Sequence, residues 1–182
     1  RRMRRLWKLL DLHDIELQAR YIRSEANEWA DRLSRDKDLD DWRINRKWFD
    51  YAETAWGKHT VDRFASELSR QVARYYSGWH DPECEGVDSL AYDWRGETNW
   101  VNPPWRLLDE VAHKLREEGA AATVVAPYWP GQAWFRELEA LSAEVVIMPR
   151  QRDLFTPSRL GGSVLLGASG WDAVMFHIPS SQ

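Results

Sequence analysis

The run Ala121-Ala122-Thr123-Val124-Val125-Ala126 is uncharged and has β-branched residues at its centre. A strand of that composition is covered on both faces, and the usual setting for one is a parallel sheet with helices on either side. The neighbouring segments agree. Leu107, Leu108, Val111, Ala112 and Leu115 repeat with helical spacing and stop at Gly119. Downstream, 132–141 reads as the next helix and 143–148 as the next strand. Strands that alternate with helices wind into a doubly wound sheet. Upstream, 60–65 and the end of 94–101 are strand-like, and 45–56 is a helix with Trp48, Phe49, Ala52 and Trp56 on one face, closed by Gly57. Residues 70–76 read as a short helix or an irregular turn. Ala173–Ile178, with 164–166, is expected to close the sheet with antiparallel character after the Gly161-Gly162 turn. Before the sheet, 4–12 reads as a helix, 15–22 as a strand and 27–33 as a short helix, and the charged stretch 35–41 reads as a linker.

Within this frame, Asn102-Pro103-Pro104-Trp105 follows the strand that ends at Val101 and precedes a helix. In an open α/β sheet the carboxyl ends of the strands are where ligands bind. A polar amide beside two prolines and an aromatic ring suits an exocyclic amine on a planar base. The same four residues also suit a Pro-Pro turn with a core Trp. Twelve tryptophans in 182 residues exceed what a core of this size needs. Most are expected to be buried or to cover the core. A few are free to form a stacking platform or a protein-binding face.

Net charge is −4, so any grip on nucleic acid must be local rather than by bulk charge. The basic cluster Arg1, Arg2, Arg4, Arg5 and Lys8 reads as a solvated face. A single cysteine, Cys84, fits a reducing compartment, and the protein is expected inside the cell, in nucleus or cytoplasm, away from membranes. His80, Cys84, Asp81, Glu83 and Glu85 match no established metal-ligand spacing, so no metal site is assigned.

Two stretches carry a resemblance. Residues 21–35 contain Asn27-Glu28-Trp29-Ala30-Asp31-Arg32-Leu33-Ser34-Arg35, which resembles the end of the RNase H domain in retroelement polyproteins. There the residue matching Asp31 is the last metal-binding carboxylate. The other carboxylates would lie before residue 1, so two-metal hydrolysis is not expected from this chain. The second stretch joins Asp62-Arg63-Phe64-Ala65-Ser66, Asp88-Ser89-Leu90, Trp94, Asn102-Pro103-Pro104-Trp105, Val124-Val125-Ala126-Pro127 and Trp134-Phe135. It resembles the small phage-type DNA adenine methyltransferases of the Dam family, which DIRS-type retroelements carry after their reverse transcriptase and RNase H.

The resemblance implies an α/β Rossmann-like methyltransferase sheet with flanking helices, preceded by a small helix-strand-helix RNase H remnant. The corresponding division is 1–36 for the remnant, 37–58 for a linker and helix, and 59–182 for the methyltransferase domain. It implies S-adenosylmethionine as methyl donor and DNA, single-stranded or with a flipped adenine, as substrate. Asn102 and Pro103, with Pro104, would hold the target amine, and Trp105 would stack on the base. Asp62, Phe64, Ala65 and Ser66 would form the turn beside the cofactor, with Asp88 near it. Methyltransferases usually place glycine in that turn, and 62–69 has none, so Arg63, Glu67 and Leu68 are expected to fill the space. A second reading makes the chain a domesticated, catalytically inactive fragment that serves as a structural or protein-interaction subunit. A third makes it the end of a longer polymerase polyprotein.

Overall fold

The computed structural model describes residues 42–151, 153–157 and 171–181. All of them belong to one unit, Asp38–Gln182. Asp31, the RNase H-like stretch, the N-terminal basic cluster, the strand read at 164–166 and the Gly161-Gly162 turn lie outside the described residues. In chain order the elements are β1 (Trp42–Ile44), α1 (Arg46–Trp56), β2 (Val61–Asp62), β3 (Tyr76–Ser77), β4 (Gly86–Val87), β5 (Asn99–Val101), α2 (Leu108–Glu118), β6 (Ala122–Pro127), α3 (Ala133–Leu141), β7 (Glu144–Met148), β8 (Phe155–Pro157) and β9 (Ala173–Ile178). Among the described residues no helix is long and apolar enough to cross a membrane.

The central sheet has the order β2-β5-β6-β9-β7. β2, β5 and β6 are parallel, and β9 runs antiparallel to both β6 and β7. Ala173–Ile178 is thus antiparallel as read from the sequence, but it sits between two strands rather than at the margin. The strand expected over 60–65 is only two residues long. Beyond it the chain runs alongside, with Asp62 bridged in parallel to Tyr75 and the Asp62 amide donating to the Arg74 carbonyl. The parallel β3–β4 ribbon follows. The order therefore continues as β4-β3-β2-β5-β6-β9-β7, and the segment read as helix or turn at 70–76 is an irregular turn that enters β3.

Alternation along the strands divides the core into two layers. Val101, Val124, Val174 and Phe176 pack with Leu108, Val111 and Leu115 of α2 and Phe135 and Leu138 of α3. Their neighbours Trp100, Val125 and Met175 point the other way and pack with Phe49 and Ala52 of α1 and Ile44 of β1. Helices cover both faces, as the run at β6 required. Local rules set the helix ends. Asn45 caps α1 by accepting from the Lys47 amide. Gly119 takes a left-handed φ of 62° after α2 and bonds back to Leu115.

A buried polar pair holds β2 to β5. Arg63 is 2% exposed, and its Nε donates to Asn99 Oδ1 at 2.6 Å. Its guanidinium lies over the rings of Tyr76 and Trp94. The Asn99 amide group lies within bonding distance of the carbonyls of Trp94 and Ala121. Burial holds the Arg63 guanidinium below its ordinary pKa, although Tyr76 opposes this. On the other face of the sheet His59 is buried against Phe49 and Trp100. A carboxylate only accepts, so the ring N–H at Nδ1 donates to Glu53 and Nε2 accepts from the Thr123 hydroxyl at 2.8 Å. Burial pushes the His59 pKa down, partly offset by Glu53.

Two outcomes are expected. Asn99→Ala leaves a buried guanidinium without its acceptor and should cost about 3 kcal/mol in a denaturant-unfolding experiment. A histidine whose folded pKa is depressed stabilises the fold fully above its unfolded value of about 6.5 and loses that contribution as pH falls. Unfolding midpoints should therefore drop below about pH 6.5, and the drop should shrink in His59→Gln.

Candidate functional site

The carboxyl ends of β2, β3, β4, β5 and β6 open onto one rim. Asp62 ends β2 and Arg63–Ser66 follow it, Asp88 follows β4 and Asn102–Trp105 follows β5. The topology thus brings the residues expected to hold the cofactor and the target amine to the same edge of one sheet.

The turn after β2 is held from within. Asp62 is 2% exposed, and its two carboxylate oxygens accept from the amides of Phe64 and Gln71. Ser66 is buried, and its hydroxyl accepts from the amides of Leu68 and Ser69. Both side chains fasten the loop. Ala65 is buried and ties back to β3 through its amide and the Tyr76 carbonyl. Phe64 is half-buried with its ring edge-on to Trp94. The side chains expected to fill the glycine-free turn do otherwise. Arg63 runs back along the sheet to Asn99, while Glu67 and Leu68 face solvent.

Asp88 has φ 62° and ψ 74°, and among the described residues it is the only non-glycine with positive φ. Aspartate tolerates this region better than most residues, yet the conformation still costs energy and re-aims the side chain. Its amide donates to the Ser77 carbonyl, which ties β4 to β3. The next residue, Ser89, is buried and its Oγ has no hydrogen-bond partner among the described residues.

Asn102 is half-buried, and its Nδ2 donates to the Trp42 carbonyl at 2.8 Å. That bond decides which way the amide points, because a flipped amide would set two oxygens against each other. Oδ1 is left as a hydrogen-bond acceptor without a partner among the described residues. The carbonyl of Ile44, two residues along β1, accepts from Gln71 Nε2 at 2.7 Å. Carbonyls two apart on a strand face the same way. β1 therefore steadies the loop after β2 with one carbonyl and the Asn102 amide with another. Pro103 is buried, and Pro104 and Trp105 are half-buried. Trp105 is packed edge-to-face with Trp129 at 5.6 Å and Trp171 at 4.9 Å between ring centroids.

A family model described as DNA N-6-adenine-methyltransferase (Dam) matches residues 32–176, well over half of the chain. The chain belongs to the Dam family. No curated protein sequence matches it. Family membership accords with the mixed α/β sheet, and the turn after β5 in this Dam-family domain lies at the carboxyl edge of its parallel strands. Sequence reasoning passed over four contributors. A backbone carbonyl such as that of Trp42 leaves no mark in side-chain patterns. Ser89 lay inside the quoted Asp88-Ser89-Leu90 segment, but nothing flagged its burial. Trp129 and Trp171 were counted among the tryptophans, and only the fold brings them to Trp105.

Asp88 can be tested through its backbone alone. Asp88→Gly and Asp88→Ala both delete the side chain, so their difference reports the cost of positive φ. The glycine variant should be the more stable by about 1 kcal/mol, the reverse of the usual ordering, in matched urea titrations.

Proposed function

We propose that this Dam-family domain transfers a methyl group from S-adenosylmethionine to the exocyclic N6 amine of adenine in DNA. The observation that carries the reading is Asn102. Its amide is oriented by the Trp42 carbonyl, so an acceptor oxygen is presented at the carboxyl edge of β5. Accepting one N–H of the amine at Oδ1 turns the nitrogen lone pair away from the ring plane without any strong base. Pro103 and Pro104 remove backbone freedom from the turn, so the acceptor is set before substrate arrives. Trp105 supplies the flat neighbour for the purine, which must first leave its stack.

Ser89 supports the fit of the methyl donor. A buried hydroxyl without a partner, beside a carboxylate in a strained conformation, suits a ligand rich in hydroxyl and amine groups. In this reading Asp88 and Ser89 hold the nucleoside part of S-adenosylmethionine, and the loop formed by Asp62, Phe64, Ala65 and Ser66 lines the methionine part. When bound, that group supplies an electrophilic methyl on a sulfonium. The protein's own contribution is to align the amine and exclude water.

The same reading takes residues 1–36 as the remnant of a retroelement RNase H domain, on the strength of the Asn27–Arg35 motif, and 59–182 as the methyltransferase domain.

Two measurements test the proposal. Titration with S-adenosylmethionine should raise the melting temperature steadily with ligand concentration, as mass action demands of a ligand that binds the folded state. Asn102→Ala should keep that rise and lose methyl transfer to adenine-containing DNA by at least about a hundredfold. A flat thermal titration removes the donor site. Full transfer by Asn102→Ala removes the role of the amide.

A further inference from the structure

Among the described residues four exposed arginines are neutralised: Arg46 by Asp50, Arg74 by Glu85 and Glu97, Arg95 by Asp93, and Arg116 by Glu137. Arg43 on β1, Arg106 after Trp105, Arg136 on α3 and Arg150 beyond β7 are exposed, and their side chains make no hydrogen bond or ion pair among the described residues. Of these, Arg43, Arg106 and Arg150 lie by the carboxyl edge, where they offer a local anionic-ligand site on a protein of net charge −4.

The same edge bears exposed aromatic surface. Tyr128 and Trp129 follow β6, the strand beside β5, and each is 37% exposed. Backbone bonds hold them in place: the Tyr128 amide donates to the Asp172 carbonyl, and the Trp129 carbonyl accepts from the Gln132 amide. Trp129 also packs against Trp105 and Trp171, so its ring is braced on one side and open on the other. A rigid, half-open indole beside exposed arginines matches a strand of nucleic acid with unstacked bases, whose phosphates seek cations and whose bases seek flat partners. A closed duplex offers phosphates but hides its base faces.

We infer that the rim binds DNA as a single strand around the target adenine, with a flanking base stacked on Trp129 and Tyr128 and the phosphates held by Arg43, Arg106 and Arg150. The inference rests on the methyltransferase reading of the same rim, and it names the form of the substrate and the residues that select it.

The test uses the full chain without cofactor, a labelled adenine-containing oligonucleotide, and the same sequence as a duplex, read by fluorescence anisotropy across salt concentrations. The single strand should bind at least about tenfold more tightly than the duplex. Trp129→Ala should weaken single-strand binding by about tenfold, within the range of one lost base stack, while Trp129→Phe retains most of it. The slope of log affinity against log salt should be about −2 for three contacts, and it should flatten by about 0.7 in each of Arg43→Gln, Arg106→Gln and Arg150→Gln. Arg116→Gln, at the other edge, should leave it unchanged. Equal or tighter duplex binding overturns the inference, as does wild-type binding by a correctly folded Trp129→Ala together with Tyr128→Ala, or an equal flattening in Arg116→Gln. If single-strand binding follows this pattern but no methyl transfer occurs, the enzymatic reading fails and the strand-binding rim stands. If transfer occurs on duplex DNA and ignores these residues, the reverse holds.

Discussion

A cation buried without an opposing carboxylate sets the terms for this half of the sheet. Arg63 follows β2, where methyltransferases usually place glycines, yet its guanidinium is turned back onto Asn99 and sandwiched near Tyr76 and Trp94. An amide oxygen and two ring faces are the least that such a group needs to remain charged away from water. In return, it joins three strands, since Asn99 opens β5, Tyr76 opens β3 and Arg63 itself leaves β2. The loop above can then dispense with a helix, being fastened by Asp62 and Ser66 from within and by β3 and β1 from outside. Because Arg63 is spent below the loop, its bulk does not compete with whatever the rim receives.

The second organising element is β1, which stands outside the central sheet and, among the described residues, pairs with β8. Through two carbonyls it serves the loop after β2 and the Asn102 amide together. The geometry assigned to donor and acceptor sides of the reaction thus has a common support. Helix α1, which the sequence placed with a linker, buries Phe49 and Ala52 against Trp100 and Val125, so it belongs to the same core as the strands that carry the rim.

How far the sequence could be read depended on whether the signal was local. The β6 run, the Gly119 stop and the position of Asn102 after a strand were all legible, because each is decided within a few residues. β3 and β4 were not, since two-residue strands have no period to detect. The place of β9 between β6 and β7 was hidden because strand order is a matter of long-range pairing. Arg63 was expected to fill the glycine-free turn, and only the coincidence of Asn99, Trp94 and Tyr76, distant in sequence, draws it back into the sheet and makes its burial tolerable. The Asn102 anchor was invisible because its partner is backbone.

The insertion of β9 also governs how such a chain can be assembled. Until Ala173–Ile178 has been synthesised, β6 and β7 each carry an unsatisfied edge, and Phe176 is missing from the layer beneath α2 and α3. The sheet closes only when the last strand slides between two earlier ones, a late and non-local step of the kind that slows folding and leaves sticky edges open meanwhile. Loss of Ala173–Ile178 would therefore remove an internal seam of the sheet rather than an edge strand.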